Sequence, residues 1–172
     1  YLVTTSNFKK RSQYVTGDPR FTSIKKGTKN IVYLWARKEF QNISKCFDCG
    51  ISVVKPRHVS KNILIMDFEG KDGKPENTLL ESEVDENDYH QSINLISDLF
   101  KKAKLVHGDF SEYNIFKTKN GLKLFDLGSA VDITHPNTMN FLKRDINNIT
   151  NFFVKRGLTV ENPADILERI TK

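Results

Sequence analysis

A turn signal organises the middle of this chain. Lys119-Asn120-Gly121 supplies the Asn-Gly pair that accepts positive φ, and alternating apolar residues run into it and out of it. The spacing predicts a hairpin with one short strand over Asn114–Lys117 and its partner over Leu122–Phe125. Asn114 then stands beside Asp126 at the open end, and Asp109 lies on the polar loop that leads in. A carboxylate and a carboxamide brought together there are hard oxygen ligands suited to Mg²⁺, which keeps several waters and takes few protein ligands plus substrate phosphate. Asp109 is placed to accept a proton or to orient a nucleophile. Together these are the parts that phosphoryl transfer needs. The bland alternative is a surface loop with scattered Asp and Asn before a hairpin, and it requires a base, two ligands and a turn to coincide.

The pattern His107-x-Asp109-x-x-x-x-Asn114, followed by Asp126-Leu127-Gly128, resembles the catalytic and metal loops of the protein-kinase superfamily. Within it, His-Gly-Asp-Phe-Ser-Glu-Tyr-Asn-Ile over residues 107–115 is similar to the catalytic loop of the RIO family of atypical kinases, for which Ser111-Glu112-Tyr113-Asn114 is distinctive. Gly17-Asp18-Pro19-Arg20-Phe21, Lys38-Glu39-Phe40-x-Asn42, the run Leu64 to Gly70, His135-Pro136, and Phe141-Leu142-x-Arg144-Asp145-Ile146 extend the resemblance over nearly the whole chain and favour the RIO-one subfamily.

The resemblance implies an α+β, protein-kinase-like two-lobed fold in the trimmed RIO version. Residues 1–68 would form an incomplete N-lobe and residues 69–172 the C-lobe. It implies ATP and Mg²⁺ as cofactors, Asp109 as the catalytic aspartate, and Asn114 and Asp126 as metal ligands, with Asp126 also a phosphoacceptor as in some family members. The implied role is late maturation of the small ribosomal subunit, with pre-ribosomal RNA and protein as partners and with ATP hydrolysis and autophosphorylation more evident than phosphorylation of other proteins.

Ile31 to Asp48 has helical spacing and stops at Gly50, a favoured helix terminator. Trp35, Ile43 and Phe47 are read as one face, with Glu39 inside the stripe. A buried carboxylate is costly unless paired. By resemblance Glu39 pairs with a strand lysine that holds the nucleotide phosphates; otherwise it is an exposed residue on a helix whose apolar face is rotated toward Phe40. Alignment puts that lysine about two residues before Tyr1 and the Gly-rich phosphate loop earlier still. The expectation is a fragment of a longer protein, because the chain opens inside a strand read at Tyr1–Val3; loss of part of the nucleotide site is the other reading. Residues 4–30 are read as a mobile loop after a short helical turn.

Ile51–Val54 and Asn62–Phe68 read as an antiparallel strand pair, with His58 on the surface. In kinase terms Met66 resembles the residue at the back of the adenine pocket, Asp67 and Glu69 would offer backbone groups to the adenine edge, and Phe68 lies between them. Glu69–Asn77 reads as the linker between lobes. An amphipathic helix follows over Asp88–Lys104, with Tyr89, Ile93, Ile96, Phe100 and Ala103 on one side, packing under the catalytic loop. Another runs from about Thr138 to Arg156 with the stripe Phe141, Leu142, Asp145, Ile146, Ile149, Phe152 and Phe153. Asp145 is expected to be satisfied by loop backbone donors or by His107, which braces the loop. Pro163 opens a last short helix over Ala164–Ile170.

No Ala-Pro-Glu segment follows Asp126, position 108 is Gly rather than the Arg that reads activation-loop phosphate, and position 111 is Ser rather than Lys. Regulation by activation-loop phosphorylation is therefore not expected. Three alternatives stand beside the RIO reading: a small-molecule phosphotransferase, a related small kinase of a tRNA-modification complex, and a pseudokinase module docking on pre-ribosomal RNA. Residues 1–62 hold 13 Lys and Arg against three acids, whereas residues 63–172 hold 14 against 18. That asymmetry suits a phosphate-rich partner as well as it suits merely solvated lysines. No apolar run nears a membrane span and no signal peptide is recognisable at Tyr1, so a cytoplasmic location is expected, with a nuclear fraction in a eukaryote and no membrane or DNA partner. Cys46 and Cys49 read as a buried thiol and a helix-end residue, not a zinc pair.

Overall fold

The computed structural model describes Tyr14, Asp18, Arg20 and residues 28–172. The strand end expected at Tyr1–Val3 and nearly all of the expected loop lie outside the described residues.

Helix α1 (Thr28–Asp48) ends where Gly50 takes φ 71°. Ile51 N–H reaches back to Cys46 C=O (3.0 Å) and Gly50 N–H to Phe47 C=O (3.0 Å), a terminating pair of bonds that needs a residue of positive φ. Trp35 and Ile43 are buried, as their spacing implies, but Phe47 is 40% exposed. Steps of four residues overshoot the 3.6-residue turn, so Phe47 stands about 120° around the helix from Trp35 and Cys46 takes the inner place. Burial pushes the Cys46 thiol up to about 12.

The strand pair is displaced from the expected one. Strands β1 (Pro56–Ser60) and β2 (Ile63–Met66) pair antiparallel, from Pro56 with Met66 to Ser60 with Ile63, and His58 is on the exposed face. Ile51–Val54 is apolar because the core covers it, not because it pairs with β2: Val54 N–H donates to Leu124 C=O (2.8 Å) and Leu124 N–H to Ser52 C=O (3.0 Å). The expected linker folds into a miniature hairpin, β3 (Gly70–Lys71) with β4 (Lys74–Pro75).

Helix α2 (Glu86–Lys101) starts earlier than its apolar period suggests, because Asp85 and Asp88 exchange side-chain and backbone hydrogen bonds at its N-terminus, and it stops sooner, at Lys101. Strands β5 (Leu105–Val106), β6 (Ile115–Thr118), β7 (Gly121–Leu124) and β8 (Val131–Asp132) make two antiparallel ladders, β5 with β8 and β6 with β7. The turn between β6 and β7 falls where Asn120-Gly121 predicts. These ladders set the site. One loop, residues 107–114, leaves β5 and enters β6; the other, residues 125–130, leaves β7 and enters β8.

Helix α3 (Thr138–Lys155) buries all seven residues of its predicted stripe. In α4 (Pro163–Thr171), Asn162 caps the first turn and Pro163 occupies a position where a missing N–H costs nothing. Helices α2, α3 and α4 pack on one another around a core that includes Leu99, Leu142, Ile146 and Phe153. Among the described residues no helix is long and apolar enough to cross a membrane.

Candidate active site

The backbone after β5 is held from α3. Asp145 accepts from Gly108 N–H (2.7 Å) through Oδ2 and from Phe110 N–H (3.0 Å) through Oδ1. The loop backbone, and not His107, is thus its partner. Burial pushes Asp145 up to about 7, against the two N–H donors and Arg144, which favour its carboxylate. Arg144 donates to Gly108 C=O and to Tyr14 Oη (2.9 Å), and the Tyr14 hydroxyl donates to the same carbonyl (3.3 Å). Gly108 sits at φ 76°, and a Cβ there would come 3.1 Å from the Tyr14 ring and 3.2 Å from Ser129 C=O. This crowding accounts for Gly at position 108. His107 accepts from Asp109 N–H (3.3 Å) and meets Phe110 edge-on, and its burial lowers its pKa. Asp109 itself is exposed between buried Gly108 and Phe110.

Asn114 Nδ2 donates to Asp109 C=O (2.9 Å), which ties the two ends of the polar loop together. Phe125 N–H donates to Asn114 C=O (3.2 Å), closing the hairpin mouth beside Asp126. Asp126 is exposed, and its Oδ1 accepts from Gly128 N–H (3.0 Å). The structure therefore brings Asp109, Asn114 and Asp126 to one place. Among the described residues Asn114 and Asp126 each commit one side-chain polar atom to the protein and keep one oxygen for another partner. Among the described residues no cluster of three or more His, Cys, Asp or Glu side chains could hold a metal alone.

Glu39 is 4% exposed, and among the described residues its Oε2 has no hydrogen-bond partner. Burial, with the Asp126 charge added, pushes it up to about 8. It borders an open cavity of about 320 Å³ that is also lined by Leu64 and Met66. A larger cavity of about 370 Å³, between α3 and the start of α4, touches none of the candidate residues. Asp67 pairs with Arg57, Glu69 with Lys123 (2.7 Å), and Phe68 is 61% exposed. Asp67 N–H donates to Lys55 C=O (2.9 Å) and Glu69 C=O accepts from Glu76 N–H (2.9 Å), so the groups expected at an adenine edge, Asp67 C=O and Glu69 N–H, are not the ones consumed.

Sequence reasoning assigned no role to Lys38, Asn42, Tyr14 or Arg144. Lys38 is fully buried and its Nζ donates to Gly128 C=O (2.8 Å) and Ala130 C=O (2.5 Å). Burial, then the Arg20 guanidinium, pulls its pKa down to about 7. Asn42, one turn on, donates to Leu127 C=O (2.8 Å) and Ala130 C=O (3.0 Å). The available signal was Lys38 and Asn42 four apart beside Trp35, two polar residues on a helix face that should be apolar.

A family model described as RIO domain matches residues 1–166. The chain belongs to the RIO family. It is 36% identical to the serine/threonine-protein kinase rio1 of Dictyostelium discoideum over 99% of its own length and 31% of that protein. It is also 36% identical to the RIO-type serine/threonine-protein kinase Rio1 of Thermoplasma acidophilum, over 100% of this RIO chain and 91% of that one. The chain thus spans less than a third of the first relative and nearly all of the second. Among solved structures, the Rio2 kinase-ADP/Mg2+-phosphoaspartate complex from Chaetomium thermophilum superimposes with a TM-score of 0.66, at 24% identity, over 80% of this chain and 44% of that one. That likeness concerns the fold: the RIO chain has the trimmed α+β, kinase-like architecture.

Proposed function

We propose that this RIO chain is the phosphoryl-transfer unit of a serine/threonine kinase or ATPase that uses Mg²⁺ and ATP. The supporting observation is the convergence of Asp109, Asn114 and Asp126 on two adjoining loops, each tied at both ends to a strand ladder. A carboxylate and a carboxamide, each with an oxygen uncommitted among the described residues, fit Mg²⁺, and they leave the rest of its shell to water and phosphate. Bound there, the ion would neutralise charge on the nucleotide phosphates. Asp109, exposed on a backbone held by Asp145 and Arg144, would orient the attacking hydroxyl or water and accept its proton. The buried Oε2 of Glu39, without a hydrogen-bond partner among the described residues, suits a cationic partner that in turn holds phosphate. The Asp67 carbonyl and Glu69 N–H would receive the adenine edge.

The Chaetomium Rio2 complex carries a phosphoaspartate. Asp126 is the corresponding acceptor in this reading. A carboxylate oxygen would bond to the γ-phosphorus as the β–γ bridging bond breaks and ADP departs, and water would later hydrolyse the acyl phosphate. The pre-ribosomal small subunit is the proposed partner, supported by the family and by the basic first third of the chain. Calorimetry of Mg·ATP binding to the full gene product, beside its Asp126→Ala variant, tests the reading. Binding that loses its metal dependence in the variant is expected; absence of Mg·ATP binding in the wild type would sink the enzyme reading.

A further inference from the structure

The loop that carries Asp126 is gripped through its carbonyls by α1. Asn42 is fully buried, and its Nδ2 donates to Leu127 C=O and Ala130 C=O. Its orientation is fixed from the other side, where Arg20 donates to Asn42 Oδ1 (2.8 Å) while held by Asp18 through two side-chain bonds of 2.9 and 2.7 Å. With a guanidinium on Oδ1, the amide cannot flip without setting donor against donor. Leu127 C=O and Gly128 N–H belong to the same peptide group, which is planar, so fixing one end aims the other. That N–H is the group that holds Asp126 Oδ1 at 3.0 Å. Lys38 secures the next carbonyl, Gly128 C=O, and a Cβ on Gly128 would lie 2.7 Å from Trp35 Nε1, so the loop has no slack against the helix.

We infer that Asn42 is a positioning residue for Asp126: it sets the plane of the Leu127–Gly128 peptide, and that peptide sets the direction in which the carboxylate presents its second oxygen. The inference rests on the reading of Asp126 as a metal ligand. Partners of this kind, one bond removed from a ligand, change metal affinity by about 10- to 100-fold when altered.

The test is Mn²⁺ binding to the full gene product in the presence of ADP, followed by the electron paramagnetic resonance of free Mn²⁺, with metal-free ADP binding measured separately in chelator. Asn42→Asp keeps the size and the Arg20 partner but replaces the donor by an acceptor. The expected result is Mn²⁺ affinity weakened about tenfold with metal-free ADP affinity unchanged. Equal losses with and without metal, or none, overturn the inference and leave Asn42 a structural tie. If the wild type binds no Mn²⁺, the functional reading fails and carries this inference with it; if Asp126→Ala loses Mn²⁺ while Asn42→Asp keeps it, only the inference fails. Should Asn42→Asp not fold, Arg20→Gln decides from the half-buried end of the relay. A two- to threefold weakening confined to Mn²⁺ supports the inference, and unchanged affinity overturns it.

Discussion

The Asp109 loop and the Asp126 loop leave neighbouring strand ladders but are restrained by different parts of the molecule. Residues 107–110 are held by Asp145 and Arg144, 35 to 37 residues further along, and Asp145 lies in the same buried stripe of α3 that builds the apolar core. Residues 127–130 are held by Lys38 and Asn42, 85 to 92 residues earlier, through an ammonium and an amide N–H that donate to the loop carbonyls. The first loop therefore shares the stability of the C-terminal helices. The second follows α1, so displacement of that helix would act on Asp126 directly through Lys38 and Asn42.

The largest expected effect tests the first half of this contrast. Phe153 is fully buried and meets Tyr89 and Phe152 edge-on, so Phe153→Ala should cost about 4 kcal/mol in urea denaturation. A loss under about 1 kcal/mol would mean that the core does not support the Asp109 loop in this way. Next, Asp145→Ala strands the Gly108 and Phe110 N–H groups, at about 3 kcal/mol for the pair. An unchanged unfolding midpoint would show that water replaces the carboxylate.

A pH series sharpens the second half. Lys38 falls from an ordinary 10.5 to about 7, through burial and the Arg20 guanidinium, with the Asp18 and Asp126 charges opposing. Between about pH 7 and 10.5 the unfolded chain holds a proton that the folded chain has released, so this contribution to stability rises with pH and is lost as pH falls through 7. Subtracting the urea midpoints of Lys38→Met from those of the wild type should isolate that rise, and a flat difference would count against it. The smallest effect is expected at Phe47, half-exposed under the Lys55 ammonium (5.4 Å from the ring centroid). There Phe47→Ala should cost no more than about 1 kcal/mol, and a core-sized loss would return Phe47 to the buried face.

The same contrast explains what could be read from the chain. The α3 stripe from Phe141 to Phe153 was legible because apolar burial and helical period coincide, and the β6–β7 turn because Asn-Gly has few alternative uses. The proximity of Asp109, Asn114 and Asp126 followed from that turn, although their chemical roles came from resemblance. Lys38 and Asn42 were not legible as loop anchors, since a backbone carbonyl that accepts their hydrogen bonds leaves no mark on the sequence. Of the β1 strand, Pro-Arg-His-Val-Ser, only the surface strand position of His58 was legible, because its polar residues carry no apolar period to set its bounds, while the neighbouring Ile51–Val54 looked like a strand because it is buried.

The most direct measurement is transfer from γ-labelled ATP with Mg²⁺ in the full gene product, read as released phosphate and as labelled protein, for the wild type beside Asp109→Asn. Turnover in the wild type is expected, with Asp109→Asn slower by at least about a hundredfold while Mg·ATP affinity is retained. Equal turnover in the two proteins would contradict a site built on these two loops.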